Sequence, residues 1–81
     1  MPRYFFNVSD GVDYPDTVGT ELPDLNAVKH EAMLASSEAI ADLGTAFWNS
    51  ARQWQLNVTD ESGKTVMRLQ FSGQIELDPA E

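Results

Sequence analysis

The segment Glu21-Leu22-Pro23-Asp24-Leu25, with the helix it starts, constrains this chain more than any other stretch. Asp24 can accept hydrogen bonds from the free N–H groups of a first helical turn, and its charge is favourable at the positive end of the helix dipole. Pro23 holds the entering chain extended and keeps Leu22 out of helical geometry. Beyond it Val28, Ala32, Ala35, Ala39 and Leu43 recur at spacings of four, three, four and four, which is one stripe at the helical period. Leu25, Met33 and Ile40 widen that stripe along one flank, where Ser36 also falls. Gly44 is placed to end the helix in a left-handed conformation. Alanine along the centre of the stripe lets the helix axis come close to whatever it covers, and the flanking segments supply a β-sheet for it.

In Arg3-Tyr4-Phe5-Phe6-Asn7-Val8-Ser9 the residues Tyr4, Phe6 and Val8 alternate onto one face, as a strand requires. Asp10-Gly11 is a turn signal, and Val12-Asp13-Tyr14 returns as a short strand. Pro15 lacks the N–H of a ladder, so that strand belongs at an edge and ends there; Asp16 to Glu21 then reads as a loop. After Gly44, residues 45–51 are open between a further helical turn and a connection in which Phe47 and Trp48 close one end of the core. From Gln53 to Thr59 the residues Trp54, Leu56 and Val58 point inward. Asp60-Glu61-Ser62-Gly63 has the composition of a tight hairpin connection.

The returning strand, Lys64 to Phe71, has Met67, Leu69 and Phe71 as its inward set and Val66, Arg68 and Gln70 outward. Ser72-Gly73 interrupts it as a bulge or bend would. Gln74-Ile75-Glu76-Leu77 resumes the alternation, and residues 78–81 form a frayed acidic tail. Phe6-Asn7-Val8-Ser9-Asp10 and Leu56-Asn57-Val58-Thr59-Asp60 share an apolar-Asn-Val-hydroxyl-Asp pattern, which assigns two hairpins to equivalent roles with their first strands side by side. The expected fold is α+β, a single ββαββ domain over residues 1–81. Its four-stranded antiparallel sheet has the order 2-1-3-4, with one helix packed on one face.

Eighty-one residues give one core, burying roughly 60% of the unfolded chain's surface. Five basic against thirteen acidic residues leave a formal charge of −8, which repels nucleic-acid phosphates and anionic lipid surfaces. Neither nucleic acid nor membrane is therefore expected as a partner. The absence of cysteine removes disulfides, zinc thiolate sites and thiol nucleophiles together. There is no apolar run of the roughly 18 residues a bilayer demands and no basic-then-apolar leader, so a cytoplasmic location is expected. Asn7-Val8-Ser9 and Asn57-Val58-Thr59 match the glycosylation tripeptide but lie in expected strands.

With the helix over the face that bears Tyr4, Phe6, Trp54 and Leu56, the opposite face carries Phe5, Asn7, Gln55, Asn57, Val66 and Arg68, together with Arg3, Gln53, Thr59 and Gln70. That set contains no acidic residue. An antiparallel sheet can simply turn such a face to water. It can also serve as a contact surface, because Phe5 and Val66 sit among neutral amides in an otherwise acidic molecule. Self-association through this face, or through the edge of the last strand, is the commonest form of such a contact.

Sites of chemistry are sparse. His30, the single histidine, reads as an ordinary residue on a helix flank beside Glu31. Asp10, Asp13 and Asp16 recur every third residue and could gather oxygen ligands for calcium, but they lack the alternate-residue carboxylates and terminal glutamate of an EF-hand loop. Nothing in the sequence activates Ser36 or Ser37. Arg3 and Arg68 could hold an anion, against the surrounding charge. No catalytic residue, cofactor or metal site is assigned.

Taken together, Met1-Pro2-Arg3-Tyr4-Phe5-Phe6, the Asp10-Gly11 turn, Asp16-x-x-Gly19-Thr20-Glu21-Leu22-Pro23-Asp24-Leu25, Ala27, Glu31-Ala32 and Val58-x-Asp60-Glu61-x-Gly63 resemble a family of small bacterial domains of unknown function. The resemblance covers nearly the whole chain and is sharpest at the loop and helix start. It implies a source among soil or plant-associated bacteria and one compact domain, and it implies no activity. A weaker likeness in size, charge and arrangement is to the small antitoxin domains of bacterial toxin–antitoxin pairs. The expected function is a non-enzymatic protein-interaction domain, a homodimer acting through the neutral sheet face or the last strand. The alternatives are a small-ligand or metal-binding protein using the Asp10, Asp13 and Asp16 loop, and an antitoxin-like regulator.

Overall fold

A computed structural model describes residues 1–50 and 53–77. The acidic tail expected at residues 78–81, and the end of the 45–51 connection at residue 51, lie outside the described residues. In chain order the elements are β1 Arg3–Ser9, β2 Asp13–Tyr14, β3 Thr20–Glu21, α1 Leu25–Leu43, α2 Ala46–Ser50, β4 Gln53–Thr59 and β5 Thr65–Ser72. The fold is α+β, with one long helix and an antiparallel sheet.

Helix α1 starts where the sequence places it. Asp24 is extended, and its Oδ1 accepts the Ala27 N–H at 2.8 Å, so one free donor of the first turn is satisfied. At the other end Gly44 takes a positive φ of 55° and gives its N–H to the Ile40 carbonyl. Val28 and Ala32 of the expected stripe are fully buried. Leu25 and Met33 remain exposed at 50% and 57%, so the buried stripe is narrower on that flank than the apolar pattern implies. Connection 45–51 supplies a second, short helix, α2. Its Phe47 is buried, its ring edge-on to Phe71 at 5.4 Å.

The sheet runs β2-β1-β4-β5, with β3 also paired to β1. The four expected strands follow the expected path, and a fifth, β3, is added to them. Thr20 and Glu21 were read as loop, yet they pair with Tyr4 and Arg3. The physical reason is the open edge of β1: beyond β2, which pairs only with Val8 and Ser9, the start of β1 still needs partners for its backbone. Tyr4, Trp54, Leu56 and Val58 point into the core against Val28, Ala32 and Phe47, as expected from the alternation.

Two further corrections concern β5. A register shift falls between Val58 and Thr59, opposite β5, where Met67 pairs with Val58 and Thr65 with Thr59. Val66 is the extra residue and packs against the core; it does not belong to the outer face. β5 ends at Ser72, where the interruption by Ser72-Gly73 is expected, but residues 74–77 do not resume it and lie outside any strand.

Candidate functional site

The outer face of the sheet is built from rows of paired residues. Asn7, Asn57 and Arg68 lie side by side across β1, β4 and β5. Asn7 Nδ2 donates to the Asn57 carbonyl at 3.0 Å, and Arg68 Nε donates to Asn57 Oδ1 at 3.3 Å. In the next row Gln70 Nε2 donates to Gln55 Oε1 at 3.3 Å. Of the six residues expected to form an interaction face, Asn7, Gln55, Asn57 and Arg68 are thus brought together. Phe5 stands apart, half-buried beneath Gly19, where a Cβ would lie 2.9 Å from its ring. Val66 has turned to the core.

The face is also not free of acid at its β1 margin. Asp16 folds back over the gap between β2 and β3, where three residues of β1 oppose five of the returning chain. Its N–H donates to Asn7 Oδ1 at 2.9 Å, its Oδ2 accepts the Phe6 N–H at 3.1 Å, and its Oδ1 accepts the Val18 and Gly19 N–H groups, both at 3.0 Å. A carboxylate therefore takes the place of a missing stretch of strand. Burial pushes this carboxyl up, but the three backbone donors, with the Arg3 charge, outweigh it and hold the group below its ordinary value. Asp10 accepts the Val12 N–H and Asp13 is paired in β2. No three His, Asp or Glu side chains gather as a metal site among the described residues.

Arg3 and Arg68 differ in what they are free to do. The Arg3 guanidinium donates to the Val18 carbonyl at 2.9 Å and meets Glu21 at 3.5 Å. Arg68 is exposed, and among the described residues no carboxylate stands within ion-pairing distance of it. At the hairpin tip, Asp60 is held below its ordinary value by the Ser62 hydroxyl, against a small desolvation, with the Lys64 and Ser62 N–H groups and the Lys64 charge adding.

On the helix side a second surface lies along β5. A groove of about 350 Å³ runs between α1 and β5, lined by Met33, Ile40, Trp54, Leu69 and Phe71. Ser36 also lines it, and its Oγ is buried with no hydrogen-bond partner; Ser37 Oγ donates to the Met33 carbonyl at 2.7 Å. Phe71 is 47% exposed, and Ile75 and Leu77 beyond it are 52% and 76% exposed. β5 ends the sheet order, so among the described residues one edge of it has no neighbour. Sequence reading named the last strand but not this groove. The signal is present in the odd-numbered run Met67, Leu69, Phe71, Ile75 and Leu77, of which the alternation assigns the first three inward and simply continues through the last two. His30 lies exposed on α1, one helical turn before Met33.

No helix among the described residues is long and apolar enough to cross a membrane. No curated protein and no solved structure matches the chain. A family model described as a domain of unknown function, DUF6894, matches residues 3–72, which takes in every strand and both helices, and the chain belongs to that family.

Proposed function

We propose that this is a non-enzymatic protein-interaction domain of a bacterial cytoplasm, and that it works through its last strand with a second copy of itself as partner. The observation that carries this reading is the edge of β5, unpaired among the described residues, beside an apolar groove. A strand edge offers a row of free N–H and C=O groups, and an adjacent groove adds side-chain selectivity; together they are the elements of strand addition. The amide row of the outer face is hydrogen-bonded to itself and continues onto the same strand through Arg68 and Gln70. The charge of −8 supports a protein partner over a nucleic acid or an anionic membrane.

The test is solution mass by light scattering over a dilution series, wild type against Met33→Glu. Met33 is exposed at the rim of the groove, so a charge there should weaken association about tenfold or more while moving Tm by no more than about 2 °C. A wild type that stays monomeric at every concentration would end the self-association reading.

A further inference from the structure

Resting on that reading, we infer that the partner copy docks by exchanging its C-terminal arm, with 73–77 of each chain lying along β5 of the other about a two-fold axis at Ser72. In β5 the odd residues Met67, Leu69 and Phe71 face the helix side, and the alternation does not stop at the end of the strand. A Cβ on Gly73 would meet the Trp48 ring at 2.7 Å and Phe47 at 2.9 Å, so this position also faces the helix side. Ile75 and Leu77 follow in the same phase. The arm is a strand in pattern, but it pairs with nothing in its own chain among the described residues.

In an antiparallel pair, residues directly opposite share a face. An axis at Ser72 sets Ile75 opposite Leu69, over the groove beside α1, and Leu77 opposite Met67 on the same face. It sets Phe71 opposite Gly73, whose helix-side face is already covered by Trp48 and Phe47 of its own chain, so no side chain has to fit there. On the outer face it sets Gln74 opposite Gln70 and Glu76 opposite Arg68, the exposed cation that has no carboxylate partner of its own among the described residues. Two-fold symmetry makes that ion pair twice, which offsets part of the repulsion between two acidic chains. Moving the axis to Gln70 would bring Ile75 opposite Thr65, away from the groove, and moving it to Gln74 would set Glu76 opposite Ser72, away from Arg68.

The absence of native cysteine allows a direct test of this register in the full chain. A residue on the axis faces its own copy at about 4.5–5.5 Å between Cα atoms, within disulfide range. Ser72→Cys should therefore form a covalent dimer under mild oxidation, and Gln70→Cys and Gln74→Cys, each more than about 10 Å from its own copy, should not. In the dilution series, Glu76→Arg and Arg68→Glu should each weaken the dimer about tenfold, and the two together should restore it to within about threefold. A dimer that persists without cross-linking at Ser72 and ignores Glu76→Arg would overturn the arm exchange and leave self-association standing. Preferential cross-linking at Gln70→Cys would overturn the register. A monomeric wild type would remove both.

Discussion

Asp16 shows how much one side chain can decide in a chain of this size. It was legible as a turn residue, and the spacing of Asp10, Asp13 and Asp16 invited a cation. In the structure both its oxygens are instead taken by backbone N–H groups of Phe6, Val18 and Gly19. No periodicity signals that use, because the donors come from a strand ten residues earlier and from the irregular loop that follows Asp16. Its folded carboxyl lies below the ordinary 3.8, so the folded chain takes up that proton less readily than the unfolded one. The stabilisation is complete above the unfolded value and is lost as pH falls through the folded one. The urea midpoint of wild type should exceed that of Asp16→Asn near about pH 6, and the gap should shrink toward about pH 3. Comparing the two chains at each pH cancels the similar contribution of Asp60. A gap that stayed constant would mean that shape, not charge, is what Asp16 provides.

At the scale of elements, legibility followed length and local chemistry. Helix α1 could be placed from Pro23, Asp24 and the alanine stripe, because capping and periodicity are local signals that packing did not override. Asp24→Ala, which frees the Ala27 N–H, should lower stability by about 1 kcal/mol in equilibrium denaturation; no measurable change would mean the cap is replaced by water or a neighbour. Strand β3 could not be read, since two residues carry no alternation and its pairing is created by the open edge of β1. Val66 misled for a related reason. A register shift of one residue reverses which face a side chain takes, and nothing local to Thr65-Val66-Met67 marks the shift. The outer row of Asn7, Asn57 and Arg68 was legible because it follows from alternation alone, whereas the groove along β5 depends on how far α1 leaves Met33 and Phe71 uncovered. Phe5, grouped with that row by alternation, lies under Gly19, so Phe5→Asp is a change to the fold before it is a change to a surface.

Across the whole molecule the two edges of the sheet are treated differently. The β1 edge is closed by β2, Asp16 and β3, two strands of two residues each with Pro15 between them, too short and broken to template another chain. The β5 edge is eight residues long and stays open among the described residues. A molecule with one usable edge can make one such contact, and a two-fold contact uses the edge up on both sides, so assembly has no site left from which to grow. Asp16 is then a chain terminator for the sheet as well as a loop anchor. Removing it by Asp16→Ala would uncover the Phe6 N–H and loosen the closure, giving the proposed dimer two fresh ends. In sedimentation velocity the variant should run as a concentration-dependent ladder beyond two copies, and wild type should stop at two. If the variant stops there as well, β2 and β3 are sufficient by themselves to keep this domain from polymerising.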